Sequence, residues 1–495
     1  MLFSSYSFIL AFLPVTLLLY YGLGGGRPVL GKTVLAAASL LFYGLSPVGS
    51  LWLMLGSIAM NWLLSRLILS FQLGSGIRHG VLWGAVAANL GLLFLFKYKE
   101  FALGLLSGDL ASHTAATAIP LGISFFTFTQ IAFLADAHRR QVDHHTPLDY
   151  LLFVTVFPHL IAGPIIHHRE MMPQFSDPQT YRWNSRHVAE GLTLFAMGLA
   201  KKVLLADTIA VHADPVFAAA APTLIEAWCG ALAYTFQIYY DFSGYSDMAV
   251  GLGLMLGLRL PINFASPYRA GSIIEFWRRW HISLSLFLRD YLYIPLGGSR
   301  KGSVRRHANL LVTMLLGGLW HGANLTFVAW GALHGVGLLI NHAWRAARGV
   351  GRPPGRLERL AGAGLTLLLV VVGWVLFRAN DLSSAFAVLR GMMGLNGVVI
   401  PESYATLPLV RGLVSMGVPA RYLPDFHGIG ELALLAAMGA HVTLLPNSQT
   451  MALDRQAPRA LNFRPTMAWS AGVAILLAVG LFAISGDSPF LYFQF

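Results

Sequence analysis

Charge is too scarce in this chain to clothe a water-facing surface. Lys, Arg, Asp and Glu make up 11% of its 495 residues, where soluble domains carry roughly a quarter. Apolar side chains make up 56% before the 51 glycines are counted. A disordered chain needs the opposite balance, and a soluble domain needs more surface charge. The composition therefore predicts an all-α polytopic membrane protein. A β-barrel would alternate apolar and polar positions, whereas the apolar stretches here run unbroken.

A span needs about 20 apolar residues. Candidates centre near residues 12, 38, 60, 90, 127, 158, 198, 236, 251, 315, 333, 370, 438 and 476. Several are short or broken, so roughly 11 to 13 true spans are expected, with re-entrant and interfacial helices besides. The opening MLFSSYSFILAFLPVTLLLYYGL has no basic stretch before its apolar run, and reads as an uncleaved first span. Arg27 and Lys32 follow it, which puts that loop inside and the N-terminus outside; Arg78 agrees, while Lys97 and Lys99 fall where an outside loop is expected. Residues 396–431 and 446–466, the latter with Arg455, Arg459 and Arg464, read as loops between late spans.

A single cysteine, Cys229, excludes an internal disulfide and a cysteine-based zinc site. The net charge of +12 suits anionic headgroups or phosphorylated ligands. Its spread between apolar segments argues against nucleic acid as a partner.

Four segments carry chemistry. Residues 272–300, SIIEFWRRWHISLSLFLRDYLYIPLGGSR, read as one amphipathic helix. Trp277, Trp280, Leu284, Phe287, Leu288 and Tyr291 share a face opposite Glu275, Arg278, Arg279, Ser285, Arg289 and Asp290, with His281 at the border. Such a helix anchors a protein in the membrane interface, or turns its Arg residues into a polar cavity reached from the cytosol. Arg300, Lys301, Arg305 and Arg306 follow it, as a cytosolic retention signal or as contacts for a cofactor's phosphates.

In residues 309–335 the island Trp320-His321-Gly322-Ala323-Asn324 interrupts an apolar run, and Gly318 and Gly322 have the spacing that lets helices approach. An imidazole titrates near neutrality and can accept a proton. The plain alternative is a histidine hydrogen-bonded inside a helix bundle, and His334 is read that way. In residues 239–257, Asp241 and Asp247 flank Ser243-Gly244-Tyr245-Ser246, read as an Asp-bearing turn. Buried carboxylates need partners, and an Arg of the 272–300 segment is a candidate. A structural polar network is favoured over a proton relay. In residues 157–175, FPHLIAGPIIHHREMMPQF, Pro158 and Gly163-Pro164 break the helix. His159, His167, His168 and Glu170 do not make the i, i+4 His pair that flanks a Glu in metalloprotease helices, so no metal is expected.

Together these segments resemble the membrane-bound O-acyltransferase (MBOAT) family, and within it the bacterial alginate O-acetyltransferase branch. The matching blocks are PLGISFFTFTQIAFLAD (120–136), residues 157–175, ALAYTFQIYYDFSGYSDMAVGLGLMLGLR (231–259), EFWRRWHISLSLFLRDYLYIPLGGSRKG (275–302) and TMLLGGLWHGANLTFVAWGALHG (313–335). The first and last residues, MLFSSYSFILAFLPV and SPFLYFQF, also resemble that branch.

The resemblance implies one membrane domain over residues 1–495: N-terminal spans to 119, a catalytic core of about 120–345 and C-terminal spans from 346, around a central tunnel. It maps the family's histidine onto His321 and a second position onto His281. It implies acetyl-CoA as a cytosolic donor rather than a resident cofactor, and O-acetylation of an exported polysaccharide such as alginate or cellulose. It further implies the bacterial inner membrane as location and a separate periplasmic SGNH-type acetyltransferase as partner. Arg278, Arg279, Arg300 and Lys301 are then candidates for the CoA phosphates, and Asn324 for the thioester oxygen. The alternatives are a transporter or channel with an intramembrane proton path, or an acyltransferase of the same family with a lipid, teichoic-acid or protein acceptor.

Overall fold

A computed structural model describes residues 1–45, 51–70, 74–108, 119–142, 145–349, 355–423, 429–453, 462–485 and 488–491. Arg455 and Arg459 of the late loop lie outside these. The protein is an all-α polytopic membrane protein. Its only strands among the described residues are the two-residue pair Ile400–Pro401 and Ala420–Arg421. Among the described residues, five helices are long and apolar enough to cross a membrane: Ser7–Gly24, Leu51–Leu69, Ser75–Ser107, Leu325–Arg348 and Arg356–Arg378. Pro28–Gly44, Ile429–Leu444 and Met467–Phe482 are shorter and also apolar. Trp52, Leu106, Leu357 and Phe482 are each more than four-fifths exposed. Water would penalise such a surface, whereas lipid tails do not.

Chain contacts gather into two interleaved units. The first comprises Met1–Ala200, Gly244–Asn263 and Ser448–Phe495; the second comprises Lys201–Ser243 and Phe264–Asn447. In the first, Phe3, Phe8, Phe12, Phe42 and Phe157 make a continuous aromatic cluster. Lys97 belongs to this interior: it is buried on helix Ser75–Ser107 and donates to Ser124 Oγ at 3.2 Å. It is therefore no loop charge, which removes part of the conflict in the orientation signal. The 157–175 segment breaks where its prolines and glycine require. Phe157–Leu160 is a single turn with Pro158 in its first positions, and a Cβ on Gly163 would lie 2.4 Å from His159 Cα. The His159 ring meets the Phe153 carbonyl at 3.2 Å, so the interrupted backbone keeps a partner.

Two sequence expectations fail here. Residues 239–257 hold no turn at Ser243-Gly244: one helix, Leu224–Met255, runs through them. Glycine and serine break an exposed helix, but burial overrides such weak propensities. Gly244 also serves close packing, since a Cβ on Gly198 would lie 2.5 Å from its carbonyl oxygen. The partner of Asp241 is not an Arg of the 272–300 segment but Lys202, whose Nζ lies 2.9 Å from Asp241 and 2.8 Å from Asp207. Lys202 and Asp241 are each only 2% exposed. Asp247 has separate partners, accepting from Ser448 Oγ and Gln449 Nε2. The two carboxylates therefore serve two networks rather than one.

In the second unit, helices Ser303–His321 and Leu325–Arg348 form a tight hairpin. A Cβ on Gly318 would meet the Phe327 carbonyl oxygen at 2.2 Å, and one on Gly331 the Met314 carbonyl oxygen at 2.4 Å. Backbone cannot retreat as a side-chain tip can, so both positions require glycine.

Gly318→Ala is expected to cost about 1–3 kcal/mol by overpacking, read as a lower unfolding midpoint in detergent. Gly364→Ala, where a Cβ meets nothing within 4 Å, should not lower it. Lys202→Met leaves Asp241 buried without its cation, and breaking such a pair costs about 3–5 kcal/mol. Adding Asp241→Leu should recover much of the midpoint. Equal midpoints for Lys202→Met and wild type would refute the pairing as a stabilising feature.

Candidate active site

The hairpin sets His321 at its tip. His321 is the last residue of helix Ser303–His321, Gly322 turns fully extended (φ −165°, ψ 153°), and Asn324 caps the next helix. The imidazole is 6% exposed. Its ring centroid lies 5.0 Å from Trp320, 5.2 Å from Trp330 and 5.1 Å from Phe377. Trp330 and Phe377 come from two further helices, Leu325–Arg348 and Arg356–Arg378.

The 272–300 segment does not form the single expected helix. It divides into Ile273–Trp277, Ile282–Leu288 and a wider turn at Arg289–Tyr293. The break has a cause outside the segment. Ala265 N–H donates to the Arg279 carbonyl at 3.0 Å, which removes that carbonyl from the helical ladder. His281 then adopts φ +42°, left-handed for a residue with a side chain. Such strain persists only where the surroundings enforce it, and it clusters at functional sites.

The break turns His281 inward. It is 1% exposed, edge-on to Phe242 at 4.8 Å, with its ring centroid 6.5 Å from that of His321. Burial pushes its pKa down to about 3, so the imidazole is neutral at physiological pH. Trp280 is likewise drawn into the protein, 4.7 Å from Trp374, rather than presented to a membrane interface.

The structure thus unites His281 and His321, forty positions apart in sequence. It engages other candidates elsewhere. Asn324 Oδ1 accepts from Thr326 N–H and its Nδ2 donates one of its two hydrogens to the Asn380 carbonyl at 2.6 Å. Arg279 pairs with Glu275 at 2.6 Å and donates to the Ala265 carbonyl. Arg278, Arg300 and Lys301 are exposed. Arg300 and Lys301 lie in a loop bent by Gly297, Gly298 and Gly302, all at positive φ, and fastened by Asn309 Nδ2 donating to the Gly298 carbonyl. His334 is fully buried, its ring 4.7 Å from Trp330. Sequence reasoning overlooked Phe242, Trp330 and Phe377 as walls around the histidines. Aromatics are common in apolar helices, and nothing in their spacing separates these three from the rest.

A buried imidazole pair walled by aromatics suits proton transfer to or from a substrate. Residues 57–352 match the model of MBOAT, the membrane-bound O-acyltransferase family. The chain is 39% identical to a peptidoglycan O-acetyltransferase of Helicobacter pylori, over all of this chain and 98% of that one. It is equally 39% identical to a probable alginate O-acetylase, AlgI, of Pseudomonas aeruginosa, over the full length of both. A teichoic acid D-alanyltransferase of Bacillus subtilis is 29% identical over 52% of this chain and 66% of its own. With a family model over more than half its length and full-length relatives at this identity, the chain belongs to the membrane-bound O-acyltransferase family.

Proposed function

We propose that this membrane O-acyltransferase lies in the bacterial inner membrane, takes acetyl from cytosolic acetyl-CoA and delivers it for O-acetylation of an exported glycan. The observation that carries this reading is the buried His281–His321 pair, in a chain 39% identical over its length to relatives named for O-acetyl transfer. Those relatives name two different polymers, peptidoglycan and alginate, at the same identity. Both polymers offer sugar hydroxyls, so the proposal fixes the acceptor group and leaves the polymer to the host. A separate periplasmic SGNH-type protein would provide the hydroxyl that receives the acetyl group first.

A hydroxyl attacks a thioester poorly until a base takes its proton. His321 is that base. Its imidazole sits at a helix C-terminus, where the backbone dipole favours the cation that a base becomes. As the oxygen bonds to the acetyl carbon, the proton passes to His321. The carbon–sulfur bond breaks and the proton returns to the CoA sulfur. His281, its ring centroid 6.5 Å from that of His321, orients the acceptor as a neutral ring. The exposed Arg278, Arg300 and Lys301 attract the CoA phosphates by charge. Arg279 and Asn324 also hold the local backbone. A bilayer core of about 30 Å separates donor from polymer. A passage through the protein then moves only the small acetyl group and leaves the anionic CoA behind.

His321→Ala should lower CoA release from acetyl-CoA by about 10²–10⁴-fold, measured with protein in nanodiscs and the acceptor present, while the variant still purifies as a single species. Undiminished release would remove His321 from the role of base, and a wild-type protein that leaves the thioester intact would favour the transporter reading. Arg300→Gln combined with Lys301→Gln should raise KM for acetyl-CoA with little change in kcat, more so at low salt. An unchanged KM would place the CoA phosphates elsewhere.

A further inference from the structure

Beyond the acyl-transfer site, the first unit gathers Asp136, His167 and His168, whose ligand atoms all lie within 4.8 Å of one another. Asp136 stands near the end of helix Ile123–His138, and the two histidines at the start of helix His168–Ser176. One carboxylate oxygen, Oδ2, faces both rings: it is 3.0 Å from His167 Nε2 and 3.4 Å from His168 Nδ1. The other oxygen, Oδ1, is 3.3 Å from Arg139 Nη1, which fixes the carboxylate in a one-oxygen presentation. Asp136 is 2% exposed and His168 4%, while the His167 side chain is 33% exposed.

The hydrogen bonding makes the arrangement informative. His168 Nε2 lies 3.0 Å from the carbonyl of Gln141, which can only accept. The ring's single proton in the neutral form is therefore on Nε2. Nδ1 then presents a lone pair to a carboxylate oxygen, an arrangement that needs a cation or a further proton between them. Ligand bonds of about 2.0–2.1 Å in a tetrahedral site separate neighbouring donors by roughly 3.3 Å, close to the 3.0 and 3.4 Å found here. A metal-bound imidazole commonly gives its other N–H to a backbone carbonyl, as His168 does.

We propose that Asp136, His167 and His168 bind one divalent transition-metal ion, Zn²⁺ by donor type, with a fourth position reached by solvent past the half-exposed His167. Two imidazoles and a carboxylate suit zinc better than calcium or magnesium. Binding rearranges one contact. His167 Nδ1 accepts from Arg169 N–H at 3.2 Å, so coordination through Nε2 moves the ring proton to Nδ1 and breaks that bond. The Arg169 N–H is at an exposed helix start, where water replaces the partner. The ion would fasten the end of one helix to the start of another across the broken 157–167 segment. The candidate third ligand, Asp136, comes from another helix some thirty residues earlier, beyond the reach of a spacing motif.

The test uses the full-length protein, purified through a tag without histidine, stripped with a chelator and titrated with CoCl₂. The expected result is one equivalent of Co²⁺ with the visible absorption of a four-coordinate nitrogen and oxygen site, displaced by ZnCl₂. His167→Gln, at a half-exposed position that tolerates change, should weaken binding at least about tenfold, and Asp136→Asn likewise. Wild type with no stoichiometric Co²⁺ would overturn the proposal in favour of an imidazolium–carboxylate cluster held by protons. Variants that bind Co²⁺ as wild type does would equally overturn it. Neither outcome bears on His321, because the readout is independent of acetyl transfer.

Discussion

The close approach of two backbones at Gly318 and Gly331 is the contact on which the candidate active site depends. With no side chain on either residue, helices Ser303–His321 and Leu325–Arg348 meet carbonyl to Cα. That contact ends the first helix at a defined place and leaves His321 at the tip of the hairpin, against Trp330 and Phe377. Between helices in lipid there is little hydrophobic driving force, so dispersion and backbone proximity carry the association. A methyl group at either glycine separates the helices and displaces the imidazole with them.

The same scarcity of water governs the polar groups. Lys202 is placed between Asp207 and Asp241. Asp247 is held by Ser448 and Gln449, and Lys97 by Ser124. Each is an ionisable group in an apolar setting with a partner drawn from elsewhere in the chain. His281 is handled differently. A left-handed backbone turns it into an aromatic pocket, and burial keeps it neutral. An uncharged ring costs far less to bury than an ion.

Much of the site was legible in the chain because its residues are chemically conspicuous. A histidine inside an apolar run stands out, and so does a paired tryptophan–arginine segment. The reading of 272–300 as one continuous helix failed because the break is imposed by Ala265, outside the segment. The Asp-bearing turn at 243–246 failed because burial stabilises a helix through glycine and serine. Asn324 also caps the following helix and donates to the Asn380 carbonyl. A capping role is invisible until the helix start is known.

The sequence by itself determined that this is a helical membrane protein of the O-acyltransferase kind, since charge content and motif blocks are properties of the chain alone. It also determined which residues are chemically able to act. Only the tertiary structure decided which of them meet. His281 faces His321 where the backbone bond between Ala265 and Arg279 interrupts the helix just before it. Lys202, rather than an arginine, reaches Asp241, and Asp136 reaches the His167–His168 pair. These are meetings between residues on different elements, set by how the helices pack, and spacing along one element carries no information about them.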